Sequence, residues 1–266
     1  MERTLFRVLA VLAAVSLVFI AVFSLTVFME LAYRATISST YEYRVSITTD
    51  TTLENATFYL PIPARGPAAS AVLEGIGAGD LKGLPPGWNI SLIGTEKITM
   101  LEVTAREIAP SPVGVPYLLS VNEQAKRPVD TLNAGTGDLV LLPAARRTPV
   151  ACGNMDSEAG ADMLCELYHG TAYADFTAAK NEHLSIFTLI TGRNTWDVFG
   201  PSYNEYQDGL QVSYEGRERG WKMGDGILIT GMGDYGIDFW LQHPDTTGPG
   251  GGRPRQYALG PMMVRG

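Results

Sequence analysis

The sequence predicts a mainly β protein, with one N-terminal transmembrane helix followed by a β-sandwich-like ectodomain. Three observations support this fold class. Residues 8–29 contain no charged side chain, residues 41–48 alternate between apolar and polar, and 29 Gly and 16 Pro divide much of the 266-residue chain into short runs. Strand-like runs at intervals of about 8–12 residues are typical of sandwiches and not of alternating strands and helices.

The uncharged segment 8–29 is the predicted membrane anchor. As a helix it would be about 33 Å long, which matches a hydrocarbon core of about 30 Å. Arg3 and Arg7 precede it, so the positive-inside rule predicts a cytoplasmic N-terminus and an extracytoplasmic C-terminal domain. We therefore predict a single-pass protein of the cell membrane, in which residues 1–35 form a cytoplasmic stub and a transmembrane signal anchor.

Other targeting segments fit this sequence less well. The apolar region of a cleaved signal peptide is about 7–15 residues long, although Ala32 and Ala35 would suit a cleavage site and leave cleavage open. A lipoprotein needs a Cys directly after the apolar region, and a pilin-type signal needs a Gly before it. The first Cys is Cys152 and the first Gly is Gly66, so a retained anchor is the prediction.

The ectodomain is predicted to consist mainly of strands, because apolar runs are bounded by Gly, Pro and Asp. Two of these runs are joined around Gly94 and predict a hairpin. The one predicted helix covers residues 157–169, where Ser157 fits an N-cap and Gly170 a stop signal; residues 171–180 fit either a helix or a strand. The predicted strands are 41–48, 56–60, 88–93, 98–103, 117–121, 139–142, 184–191, 210–214, 227–230 and 237–241.

A Pro- and Arg-containing segment at 143–148 is the predicted boundary within the ectodomain. It separates a first β-rich half, 36–148, from a second, 149–266. Each half contains a Gly-Trp turn, at 87–88 and at 220–221. The pattern leaves open whether the halves form one sandwich or two packed ones, and whether they are an internal duplication.

Cys152 and Cys165 are the only cysteines of the chain. An even number of cysteines in an oxidising compartment predicts a disulfide. The alternatives are free thiols and a zinc site. Zinc is an alternative because Cys165 and His169 would share one helix face and His183 could complete the ligands with Cys152. The close Cys pair that is usual in such sites is missing, so we expect the disulfide, no metal and no cofactor. Asn55 and Asn89 lie in N-glycosylation acceptor triplets.

The remaining motifs do not predict a catalytic site. Residues 231–236 match the glycine spacing of dinucleotide-binding loops, but Pro244 leaves no room for the helix that must follow. The histidines, His169, His183 and His243, accompany no hydrolase or metalloprotease motif.

Aromatic residues beside Asn, Asp and Glu form the candidate binding site. Rings of this kind suit sugar or peptide recognition, because they supply contact area at low entropic cost. The alternative is that they fill the core of a sandwich. The candidate residues are Trp196, Tyr203, Tyr206, Trp221 and Trp240.

The anchor and three further segments resemble membrane-anchored surface proteins of archaea that have no characterised activity. These segments are 57–63 (TFYLPIP), 196–200 (WDVFG) with 204–206 (NEY), and the Gly-Trp pair at 220–221. The resemblance implies a location at the cell surface and a β-rich shape. It supplies no catalytic residue.

From these observations we expect a non-enzymatic binding or structural module of the cell envelope, or a subunit of a membrane assembly. Its expected partners are the membrane, through residues 8–29, and an envelope glycan or protein. The net charge of −8 is spread along the chain and excludes nucleic acid as a partner. The alternative is an envelope hydrolase of glycan or peptide, with acidic residues near 196–206. Pairs such as Asp225 and Asp234, or Asp234 and Asp238, could then flank a glycosidic bond.

Overall fold

The computed structural model describes residues 2–64, 70–94, 99–112, 115–134, 139–141, 147–152, 163–178 and 182–234. These residues contain two α-helices and twelve β-strands. The mainly β class with one N-terminal apolar helix is therefore confirmed. The elements are α1 (Glu2–Thr36), β1 (Ser38–Thr49), β2 (Leu53–Pro61), β3 (Pro63–Ala64), α2 (Ala71–Ala78), β4 (Trp88–Gly94), β5 (Thr99–Ile108), β6 (Tyr117–Gln124), β7 (Val140–Leu141), β8 (Thr148–Val150), β9 (Leu164–Ala178), β10 (Glu182–Asp197), β11 (Pro201–Gly216) and β12 (Gly220–Asp234).

Helix α1 contains a segment, Phe6–Thr36, that is long and apolar enough to cross a membrane, with a mean hydropathy of 2.9 and none of it buried. It extends beyond the predicted segment 8–29 by seven residues at its C-terminal end. Only Ile37 separates α1 from β1, and its N–H donates to the carbonyl of Tyr33 at 2.8 Å. The helix therefore passes into the sheet without a linker.

Ten strands form one curled antiparallel sheet. The order is β4-β5-β2-β9-β12-β11-β10-β1-β6, and β8 pairs with β9 outside this path. The long strands β9 to β12 form the middle of the sheet, and strands from the first half of the chain flank them on both sides. The predicted boundary at residue 148 therefore does not separate two sheets.

The inner face of the curled sheet carries the main core. Tyr43, Phe58, Leu101 and Tyr206 contribute fully buried side chains from different strands. The end strands approach each other, since the rings of Trp88 in β4 and Tyr117 in β6 lie 5.2 Å apart. This curvature gives the sandwich-like packing in which opposite parts of a single sheet face each other across the core.

Helix α2 and residues 125–134 and 139–141 cover the inner face. Helix α2 is eight residues long and is not among the predicted elements. Ser70 caps its first turn by accepting a hydrogen bond from the N–H of Leu73, and Gly79 ends it in the left-handed conformation with φ 89°.

The helix predicted at 157–169 is wrong where the structure describes it. Residues 164–169 belong to strand β9, which continues to Ala178 through the ambiguous segment 171–180; residues 153–162 lie outside the described part. Buried side chains recur at every second position from Tyr168 to Phe176, so tertiary pairing selects the strand. The other predicted strands are confirmed in type, except 237–241, which lies outside the described residues.

Candidate binding surface

A row of three aromatic side chains crosses the outer face of the sheet, the face opposite the main core. Strand register pairs Tyr59 of β2 with Tyr173 of β9, and Tyr173 with Trp221 of β12. Directly paired residues of antiparallel strands project from the same face, about 4.5–5.5 Å apart. The three residues, here called the aromatic row, therefore meet although they are widely separated in sequence.

The rings of the aromatic row pack against each other. Tyr59 and Tyr173 stack with their centroids 4.9 Å apart, and Trp221 meets Tyr173 edge-on at 5.4 Å. The centroid of Trp221 lies 6.3 Å from that of Tyr59. Trp221 is 59% exposed, while both tyrosines are half-buried. The result is a preformed apolar surface that is open to solvent.

Carboxylates lie beside this surface. Glu102 pairs with Tyr59 from β5 and accepts a hydrogen bond from Ser91 of β4. Partial desolvation, with the charge of Glu102 and its hydrogen bond, raises the pKa of Tyr59 above the ordinary tyrosine value. The Tyr59 hydroxyl and the Glu102 carboxylate therefore form a hydrogen-bonded pair beside the rings.

The outer face continues along β9 and β12 with exposed groups of mixed character. Met223 follows Trp221 two residues later and is 68% exposed. Two residues further, Asp225 pairs with His169, and the Nδ1 to Oδ1 distance is 3.2 Å. Both of these side chains are solvent-exposed, so the pair is available to hydrogen-bond a ligand that extends from the aromatic row.

The five predicted binding aromatics do not form one cluster. Trp196 and Tyr206 point to the inner side and are buried. Tyr203 lies partly buried under the guanidinium of Arg193, 4.1 Å from its ring centroid. Only Trp221 joins the aromatic row, and Trp240 lies outside the described residues.

The cysteines form the predicted disulfide, with their Cα atoms 5.3 Å apart. It ties the end of β8 to β9 and not to a helix. Both side chains pack with Ile227 and Ile229 in a small buried cluster on the outer face. Because the sulfur atoms are bonded to each other, they are not available as the ligands of the alternative zinc site.

Among the residues that the structure describes, the candidate carboxylates do not form a hydrolytic pair; Asp238 lies outside the described residues. Asp208 is fully buried on the inner face, whereas Glu205 lies on the outer face of the same strand. Asp225 and Asp234 are nine positions apart on β12, which is about 30 Å along a strand. Glycosidase carboxyl pairs are separated by about 5–9.5 Å.

The remaining predicted sites keep their positions on the surface. Asn55 is exposed, with φ 52°, at an irregularity in the pairing of β2, and Asn89 is exposed on the edge strand β4. Residues 231–234 of the glycine motif continue strand β12 and do not turn into a helix; residues 235–236 lie outside the described part. His183 donates its backbone N–H to Asp50, and His243 lies outside the described residues.

No known protein family, curated protein or solved structure matches this chain. The resemblance to archaeal surface proteins therefore stays a prediction. The aromatic row itself was missed because Tyr173 lies in a segment without a clear period. Its meeting with Tyr59 and Trp221 depends on register between strands distant in sequence, for which the sequence carries no local signal.

Proposed function

We propose that this protein is a membrane-anchored surface module that binds a carbohydrate of the cell envelope through the aromatic row. The single observation that carries the proposal is the stacked, solvent-open arrangement of Tyr59, Tyr173 and Trp221. The apolar faces of sugar rings pack on aromatic rings, and their hydroxyl groups need hydrogen-bond partners at the edge. Glu102 and the His169–Asp225 pair supply such partners.

The size of the surface favours a small ligand over a protein partner. Stable protein interfaces take about 800 Å² from each partner, whereas three partly buried side chains offer much less. The neighbouring carboxylates of Glu102 and Asp225, with the net charge of −8, disfavour acidic polymers. We therefore expect neutral or amino sugars.

The position of the row suits a surface receptor. Ser38 at the end of the anchor helix lies level with Thr195, Tyr203 and Asp234 through the strand pairings. Trp221 is thirteen positions before Asp234 on β12, which is about 40 Å along the strand. With α1 in the cell membrane and its N-terminus in the cytoplasm, the row would stand well clear of the lipid. The disulfide favours an oxidising compartment.

The test is calorimetric titration of the full chain in detergent micelles with neutral and amino-sugar oligosaccharides. Trp221→Ala should weaken binding about 5- to 150-fold, if a sugar ring on an indole contributes as much as a nucleic-acid base stacked on an aromatic ring, about 1–3 kcal/mol. The matched control is Leu118→Ala, which removes an exposed apolar side chain (49% exposed) from the outer face of β6. Equal binding by wild type and Trp221→Ala, or no oligosaccharide binding at millimolar concentration, would contradict the proposal.

A further inference from the structure

The ectodomain is fixed directly to the last turn of α1. The N–H of Asp197, at the end of β10, donates to Oγ1 of Thr36 at 3.1 Å. The ring of Tyr33 meets the buried ring of Trp196 edge-on, with centroids 5.7 Å apart. Helix, β1 and β10 are therefore joined by covalent, hydrogen-bonded and aromatic contacts at one point.

The pairing of β1 with β10 determines where the turn between β10 and β11 lies relative to helix α1. Ser38, the first residue of β1, pairs with Thr195 in the antiparallel strand β10. Residues that follow Thr195 consequently lie beside residues that precede Ser38, which belong to α1. The turn at residues 198–200 thus lies level with the last turn of the helix, at the end of the sheet that faces the membrane anchor.

The same level reaches the interfacial layer of a bilayer. The uncharged segment of α1 ends at Met29, and the last turn of the helix, from Tyr33 to Thr36, lies about 6–10 Å further along it. The polar layer adds about 5–8 Å on each side of the hydrocarbon core, so the start of this turn lies within the layer, and helix tilt lowers the rest of the turn towards it. Phe199 is 47% exposed in the turn, and Phe, with Trp and Leu, is among the side chains that membrane-surface segments bury at the boundary between headgroups and acyl chains.

We propose that the β10–β11 turn is a second membrane contact of this protein, with Phe199 in the headgroup layer of the leaflet from which α1 emerges. The inference rests on the proposed anchoring by α1 and does not depend on carbohydrate binding. Contact at two points, the helix and the turn, holds the sheet at one orientation to the membrane. The aromatic row at the opposite end of β12 is then directed away from the lipid.

Nitroxide labels at two turns test this contact in the full chain. Phe199→Cys and Arg217→Cys are labelled separately after reconstitution into vesicles of phosphatidylcholine and phosphatidylglycerol. The native cysteines are disulfide-bonded and do not react with the label. Arg217 is exposed in the turn between β11 and β12, at the other end of the sheet, and is the matched control.

The measured quantity is the collision rate of each nitroxide with oxygen, which partitions into lipid, and with a water-soluble nickel chelate. We expect the ratio of oxygen to nickel collisions to be several-fold higher at position 199 than at position 217. Equal ratios in protein that floats with the vesicles would overturn the second contact and leave the anchor intact. Protein that does not float with the vesicles would overturn the anchor and the turn contact together.

Discussion

The tyrosines on the two faces of the sheet are used in different ways. On the inner face, Tyr43 and Tyr206 are fully buried, and their hydroxyls donate to the carbonyls of Pro61 and Leu139 at 2.9 and 2.5 Å. On the outer face, Tyr59 and Tyr173 stack on each other and remain partly open to solvent. Inner tyrosines thus bond the sheet to other parts of the chain, and outer ones form a free surface.

The difference follows from what covers each face. The inner face lies under residues 125–134 and 139–141, which are held by side chains of the sheet. The amide of Asn194 bonds both backbone groups of Val129 at 2.8 Å, and Asp208 accepts from the N–H of Leu141 at 2.8 Å. Among the residues that the structure describes, the outer face has one buried cluster, which surrounds Cys152 and Cys165. A covered face stabilises the fold, and an uncovered one is available for binding.

The two faces should differ most in how much the free energy of unfolding falls when an aromatic ring is removed. Tyr206→Ala should lower the free energy of unfolding by about 3–5 kcal/mol, because it leaves a cavity and removes the bond to Leu139. Trp221→Ala, on the outer face, should lower it by about 1 kcal/mol or less, because its indole is mostly exposed. Urea unfolding of the full chain in detergent micelles measures both. Similar losses for the two variants would show that the outer row is also a structural element.

The second effect concerns the covered end of the outer face. Replacing Cys152 and Cys165 together by Ser should lower the free energy of unfolding by about 3 kcal/mol, because a loop of about fourteen residues is no longer closed in the unfolded chain. Ile227 and Ile229, which pack against the disulfide, should then gain exposure. Binding of an apolar fluorescent dye reports that exposure, with Leu118→Ser as a surface control. An unchanged unfolding midpoint would mean that the cluster holds β8 in place without the disulfide.

The sequence was sufficient to predict most of the strands, but not β9, and not the length of the strands. Alternation identifies β1 from its eight central residues, whereas the long strands contain glycines that resemble breaks. In the structure these glycines make room for inner rings. A Cβ at Gly192 would lie 2.2 Å from the ring of Tyr206, and one at Gly226 would lie 2.3 Å from the ring of Tyr168. Each glycine is paired with its tyrosine on the neighbouring strand, so the apparent breaks are cross-strand contacts.

The candidate site was also predictable only in part, because it depends on contacts between strands that are distant in sequence. The composition around residues 196–206 correctly suggested that aromatic rings matter, but period two alone does not say which face is covered. Strand β12 is buried on both faces from Gly226 to Gly231, because the disulfide cluster covers the outer one. Burial and exposure of Trp196 and Trp221 therefore depend on segments far away in sequence, and only the folded chain resolves them.

The smallest expected effect concerns Asp208, a charge enclosed by the covered face. Its carboxylate accepts hydrogen bonds from the hydroxyl of Tyr168 at 2.6 Å and from Leu141 at 2.8 Å, and Arg147 lies 3.9 Å away. Burial outweighs these favourable contacts and raises the pKa of Asp208 to about 6. The folded state therefore binds this proton more tightly than the unfolded chain, in which the pKa is about 3.9.

The contribution of Asp208 to stability is complete below about pH 4 and is lost as the pH rises through 6, by about 2–3 kcal/mol. Asp208→Asn keeps an acceptor for Leu141 but cannot ionise, so its unfolding free energy should lack this fall between pH 4 and 7. Asp175→Asn, which removes an exposed carboxyl from the outer face, should follow the wild-type curve. Parallel curves of unfolding free energy against pH for wild type and Asp208→Asn would mean that the buried carboxylate is as well stabilised as in water. The inner face would then tolerate a charge as readily as the outer face.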